Sequence, residues 1–468
     1  MEPSSPNITS LSLPVVSIQP TFTEVVQEVE EGIIPSEQIW VSCYKTNEPS
    51  AHAKFSVELD ERDRDLVLFT PIKGSNEGQT KITRTGNNFS VSCEGLGIPP
   101  TRVLSAVQEY RDTERCIPTR PQSITAFDIS PDMTRFAAGF NDGSVNTYPI
   151  SPLKSTSGSV LQSQAIDVTQ NKTPSRPHLS AVGGLTFLPS SQVLLTSGND
   201  FSLTILSADL PNSPNKPSAR VHPARTLRSH TRPISATAVI GAGRNIVSAS
   251  LDGSVKLWDV PSGEVIFSIR TQSQVTSMVV ADRISTPPDG EDNTPSATET
   301  RDPREIPEVK DKILICGLKN GRLEILDLGL RKSVYLSPAP KVESPLNTVI
   351  YDSVHHILST GSDKGLVSVY DSRSLDTPLT SFSRLEAGVN DLAFVDGKEG
   401  ESRVYIAVAS GDGLPFVASV VPEGPMVAAE LVGVDCDAVR HIRARRTVEG
   451  RTEIWTASDD CVIRRYVY

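Results

Sequence analysis

Aromatic residues are scarce, at 5% of 468 positions with only three Trp. A core made from this chain must therefore rest on Val, Ile, Leu and Ala. Long apolar runs are missing too, and none approaches the ~20 residues of a membrane-spanning helix. There is no basic excess: 45 Lys and Arg face 56 Asp and Glu, for a formal net charge of −11. Such a surface repels phosphate backbones, whose binding needs Lys and Arg. Nucleic acid and membrane are thus not expected as partners, whereas a basic protein surface is. The six cysteines, Cys43, Cys93, Cys116, Cys316, Cys436 and Cys461, show no C-x-x-C spacing. That argues against metal ligation and a disulfide framework and for reduced thiols, in a cytoplasmic and nuclear protein without cofactor. The N-terminal stretch lacks the basic and apolar regions of a secretory signal.

Catalytic patterns are equally absent. The seven histidines (His52, His178, His222, His230, His355, His356 and His441) read as lying in unrelated contexts, with no H-x-x-x-H metal spacing. Gly241-Ala-Gly243 lacks a third glycine and reads as a hairpin, not a phosphate loop. The pair Asp459-Asp460 falls in a tight turn. The expectation is a protein that is not an enzyme.

What the chain does contain is a repeat. The stretch Thr226 to Val260, TLRSHTRPISATAVIGAGRNIVSASLDGSVKLWDV, holds an S-H pair, two apolar runs joined by a hairpin, an L-D-G turn and a closing W-D. This is the pattern of one WD repeat, a four-stranded propeller blade. Six weaker copies surround it. Aligning their turn glycines or replacements gives positions 143, 201, 253, 321, 365, 413 and 461, with steps of 44 to 68 residues. Pro- and polar-rich insertions, expected to be disordered, explain the long steps: 151–177, 209–223 and 283–310.

The predicted fold is all-β: a seven-bladed propeller over 116–468, preceded by a small mainly β domain at 21–115 and a flexible tail at 1–20. A blade cannot bury both faces alone, so neighbours must sandwich it and the ring must close. The seventh repeat supplies only three strands. The fourth is expected within Val103 to Asp112.

Within the best repeat, His230, Ser248, Asp252 and Trp258 are expected to form a buried hydrogen-bonded tetrad. Elsewhere Tyr148, Tyr370, Leu326 and Tyr466 replace Trp. The turns between second and third strands carry Asp142, Asp200, Asp252, Asp363, Asp412, Asp459 and Asp460 on one face, with Asp391, Asp435 and Asp437 near the inner-strand starts. An acidic rim is expected there, although Asp also favours such turns for backbone reasons.

Two stretches add a resemblance. ELVGVDCDAVRHI (Glu430 to Ile442) followed by IWTASDDCVIRRYVY (Ile454 to Tyr468) resembles the C-terminal end of the proteasomal ATPase-associated factor family. ISATAVIGAGRNIVSASLDGSVKLWD and QIWVSCYK are similar to it as well, and the insertion between Asp282 and Lys312 falls where that family interrupts its fourth repeat. The N-terminal region is longer than the human-type pattern, and the Pro-rich insertions after the first two repeats depart from it. The resemblance implies an assembly chaperone of the proteasome regulatory particle, monomeric when free. Its partner would be the C-terminal domain of a base AAA ATPase subunit. Carried over residue by residue, the implied contacts are Asp435, Asp437, Arg464 and Arg465, with the turn acids Asp252 and Asp460. The alternative is a WD scaffold or substrate receptor in another complex, such as a ubiquitin ligase.

Overall fold

A computed structural model describes residues 10–64, 66–72, 74, 79–117, 119–153, 163–210, 219–283, 302–397 and 403–468. Seven antiparallel sheets stand side by side around an axis as the blades of a β-propeller. Their innermost strands are Ile124–Ile129, Val182–Phe187, Ile234–Ile240, Val275–Asp282, Leu346–Asp352, Val389–Val395 and Val439–Arg446. Each touches the next, and the seventh meets the first.

The residue pattern follows each strand's place in its blade. In blade three the second strand, Asn245–Ser250, is buried throughout, because neighbouring blades cover both faces. The inner strand ISATAVI is rich in small residues where seven strands converge. The outer strand Glu264–Arg270 is mostly exposed or half-buried. All seven aligned turn positions have positive φ: Gly143, Gly253, Gly321, Gly365 and Gly413 at 72° to 81°, but also Phe201 at 68° and Cys461 at 67°. The turn geometry is therefore kept even where the glycine that suits it has been lost.

The ring closes through the strand Gln108–Arg111. It pairs antiparallel with Val462–Val467, and a further strand, Gln164–Asp167, pairs parallel outside it. The chain ahead of it folds on its own core. A sheet of Val15–Ile18, Ser36–Tyr44, Ala51–Leu59 and Val67–Pro71 covers the helix Phe22–Glu30. The helix turns Phe22, Val25, Val26 and Val29 inward, the spacing of a single apolar stripe. Phe22 meets Phe89 edge-on at 5.1 Å.

This N-terminal unit shares a sheet with the propeller. Its strands Thr80–Thr85, Asn88–Cys93 and Ile98–Ser105 extend blade six, Ile98–Ser105 lying parallel to the outer strand Met426–Val432. A buried ion pair rivets the junction. Arg384, 6% exposed, pairs with Glu430, 3% exposed. Arg384 also donates to the Pro14 carbonyl at 3.1 Å and lies 4.3 Å over the Phe416 ring, while Glu430 accepts the Val16 N–H at 3.0 Å.

Several expectations are corrected. The tail assigned to 1–20 is ordered from Leu11. Leu11–Ser12 adds a parallel strand to blade five, Val15–Ile18 joins the N-terminal sheet, and residues 1–9 lie outside the described residues. The insertion at 151–177 is structured in its second half, where Thr173–Ser175 is the outer strand of blade one. In the insertion at 209–223, Val221 bridges to Ser175. The end of the third carries a short 3-10 helix, Pro307–Asp311, and buries Val309 in the core. Their remaining parts, 154–162, 211–218 and 284–301, lie outside the described residues.

Removing one partner of a buried ion pair strands the other charge. Arg384→Ala should therefore cost about 3–5 kcal/mol by denaturant unfolding. Arg384→Met with Glu430→Gln should restore much of that loss; an equal loss in both variants would show that packing, not charge, holds the junction.

Candidate interaction face

Blade three contains the expected tetrad. The His230 Nδ1 lies 2.8 Å from Asp252 and its Nε2 2.7 Å from the Ser248 hydroxyl, which accepts the Trp258 indole N–H at 2.8 Å. Blade two repeats most of it. His178 joins Asp200 at 3.0 Å to the Thr196 hydroxyl at 2.8 Å, with Leu206 at the register position of Trp258. His178 thus does not lie in an unrelated context. Its signal was an R-P-H-L-S segment placed before the second repeat as S-H-T is placed before the third. Burial pushes both imidazoles below their usual value of 6.5, outweighing Asp200 and Asp252.

In blade one Tyr148 takes the Trp place with a different partner, donating to Asp112 at 2.8 Å, which Lys172 neutralises at 2.8 Å.

The turn acids above these struts are mostly committed inward. Asp142, Asp252, Asp412 and Asp460 each accept the backbone N–H two residues on at 3.0 Å, closing the turn. Asp252 also holds His230 and the Thr231 N–H. Asp460 accepts from Ser458 at 2.6 Å and Arg464 at 2.6 Å. Burial raises the Asp460 pKa, but Arg464 outweighs it, and the group stays below the ordinary carboxylate value. Asp252 and Asp460 are therefore parts of the scaffold, not free contact groups.

Asp391 is similarly engaged. It sits in the central channel, a cavity of about 580 Å³. Its burial would raise its pKa, yet Arg443, 2.5 Å away, and His441 hold it at about 2.

Arg464 and Arg465 are not at the surface, being 3% and 6% exposed. Arg465 donates to Glu453 at 2.8 Å, to Gln108 at 2.8 Å and to the Ser151 carbonyl at 3.0 Å, and lies 5.1 Å over the Trp455 ring. Arg464 pairs with Asp460 and lies 3.5 Å from Glu109. Gln108 and Glu109 belong to the closing strand, so this arginine pair fastens the ring. Partner contact is not open to either guanidinium in this conformation.

Asp435 and Asp437 remain. They flank Cys436, at φ 63°, in the loop between blades six and seven. The loop sits tightly on the Gly413 turn, where a Cβ would come within 2.7 Å of the Asp437 carbonyl. Asp435 is exposed and Asp437 half-buried. Among the described residues, Asp437 has no hydrogen bond or ion pair. Burial first, then Asp460 and Asp459, push its pKa up, and Arg464 only partly offsets them. Asp459 beside it is held by Arg440 at 2.6 Å. The result is an acidic corner in which Arg440 and Arg464 pair with Asp459 and Asp460, while Asp435 and Asp437 have no ion pair among the described residues.

Residues 222–259 match the WD domain, G-beta repeat family. The chain carries a WD repeat. Similar proteins include striatin-3 of Rattus norvegicus, 32% identical over 92 residues, which are 19% of this chain and 12% of that protein. The Factor-induced gene 2 protein of Saccharomyces cerevisiae is 27% identical over 146 residues, 29% of this chain and 9% of its own. The U3 small nucleolar RNA-associated protein 21 homolog of Schizosaccharomyces pombe is 40% identical over 57 residues, 12% of this chain and 6% of its own. The chain thus spans a small part of each relative's length. Among the described residues no group of His, Cys, Asp and Glu is placed to hold a metal ion, and no helix is long and apolar enough to cross a membrane.

Two measurements test these struts. Trp258→Ala should cost about 3–5 kcal/mol through the cavity and the lost N–H donor, without touching the acidic corner. Because His178 and His230 have depressed pKa values, the unfolded chain binds more protons below pH 6.5. Their contribution to stability is full above that pH and is lost as the pH falls. The fall in Tm between pH 7 and pH 5.5 should flatten in a His178→Gln/His230→Gln variant; an unchanged slope would assign it to other groups.

Proposed function

We propose that the protein is a non-catalytic binding module whose acidic corner, Asp435 and Asp437, engages a basic protein surface. Following the resemblance of its last repeat to the proteasomal ATPase-associated factor family, the proposed partner is the C-terminal domain of a proteasome base AAA ATPase subunit, with the protein acting as an assembly chaperone. The observation that carries this reading is the unpaired Asp437. A carboxylate raised by burial and by neighbouring carboxylates is unfavourable in the free protein. An incoming Lys or Arg relieves that cost, so the corner favours binding over stability. Asp435, exposed on the same loop, extends the surface and speeds encounter. The six free cysteines suit a reducing compartment, and cytoplasmic and nuclear location is part of the proposal.

Titration of the purified chain with each isolated ATPase C-terminal domain tests it. One domain should bind, and Asp435→Lys with Asp437→Lys should weaken it about tenfold or more, most strongly at low salt, with little change in Tm. Failure of every domain to bind sinks the ATPase assignment; binding that ignores both substitutions moves the site elsewhere. Since the bound form requires ionised Asp437, affinity should rise with pH above its ordinary value of 3.8. The raised pKa also means that this group's stabilising effect is greatest in acid and is lost as pH rises. Asp437→Asn should consequently raise Tm slightly at neutral pH while weakening binding.

A further inference from the structure

A second surface lies on the opposite side of the propeller, where the first-to-second-strand turns emerge. There the N-terminal unit and the undersides of blades six and seven enclose a cleft of about 780 Å³, within the size range of ligand sites. Its wall from the N-terminal unit includes Pro99 and Pro100, both exposed. Blade six contributes Met426, 47% exposed, with Val427 and Tyr405, and blade seven contributes Tyr468. Apolar groups left in contact with water in a concave site are unusual for an acidic, soluble surface.

The charges around it run against the rest of the chain. Among the described residues, Lys45, Arg102, Arg403 and Arg451 line the cleft, against Asp396 as the one carboxylate side chain. Three of the four cations have exposed acidic neighbours, Glu48, Glu423 and Glu449, at 3.6, 2.5 and 3.7 Å. Exposed pairs of this kind are weak and exchange readily. Arg102 differs. It lies half-buried 5.3 Å over the Tyr468 ring and, among the described residues, has no carboxylate partner. A guanidinium seated on an aromatic face beside an apolar cleft is suited to take a carboxylate in bidentate fashion.

We propose that this cleft binds an extended peptide that sets an apolar side chain against Met426 and Tyr468 and an adjacent Asp or Glu on Arg102. The protein would then hold a basic surface on one face and an acidic-apolar segment on the other, joining two partners without either contact overlapping.

The test is panning of a phage-displayed random dodecapeptide library on the full chain, followed by fluorescence anisotropy of the enriched peptides. Enrichment of sequences pairing Asp or Glu with Leu, Ile, Phe or Pro is expected. Their affinity should fall about tenfold or more in Arg102→Glu and, separately, in Met426→Asp, with folding checked by circular dichroism. Asp435→Lys should leave it unchanged. No enrichment, enrichment of basic peptides, or binding unaffected by both substitutions overturns the proposal. Two other occupants would also overturn it. A second copy of the chain would appear as a dimer in sedimentation that Met426→Asp dissociates. Peptide binding that requires deletion of residues 1–9 would assign the cleft to the chain's own N-terminus.

Discussion

The seam between Gln108–Arg111 and Val462–Val467 is the constraint on which the rest depends. A propeller blade is stable only between two neighbours, so a ring left open exposes two blade faces. Here the seam is fastened by more than main-chain pairing. Arg465 reaches Glu453 within its own blade and Gln108 across the seam, while Trp455 stacks on Tyr110 at 5.5 Å. Arg464 couples Asp460 to Glu109. Charges so deeply buried are costly unless fully paired, and both guanidiniums are used in several directions. The channel ion pair of Asp391 and Arg443, extended to Asp128 at 3.5 Å, adds a second link between blades six, seven and one.

The same seam determines the chain's organisation. Because the closing strand precedes the first blade, the chain ahead of it joins the ring at blade seven. The N-terminal unit exploits this by continuing the sheet of blade six and passing a short strand to blade five. Blades five, six and seven each carry an added outer strand, and their outer edges are covered. The acidic corner and the apolar cleft both lie in this reinforced sector, on opposite faces. The more regular blade three, with its complete tetrad, carries neither.

Much of the fold was legible because its signals are local. Seven turn positions align whether occupied by glycine, Phe201 or Cys461, since the turn imposes positive φ on any residue there. The His230 tetrad follows from spacing alone, being contained in one repeat. Its partial copy around His178 is not legible in the same way, because Leu206 replaces the indole that marks the third repeat. The N-terminal helix and the strand Leu11–Ser12 were also missed. The first is short, and the second exists only because blade five offers an edge to pair with.

Site residues divide along a similar line. From composition and pattern alone come an all-β ring, an acidic character and a D-C-D loop outside the turn positions. Whether a charge faces solvent is not a local property. Arg464 and Arg465 read as available contacts, yet residues 108, 109 and 453 bury them. Asp252 and Asp460 read as rim acids, yet the turn's own N–H groups and nearby cations engage them. Asp437 stands out only once its neighbours Asp459 and Asp460 are in place. The chain's sequence thus determined the repeat and its turns through short-range geometry. The tertiary structure decided which charges are struts and which remain unpaired, because burial and long-range pairing are set by segments far apart in the chain.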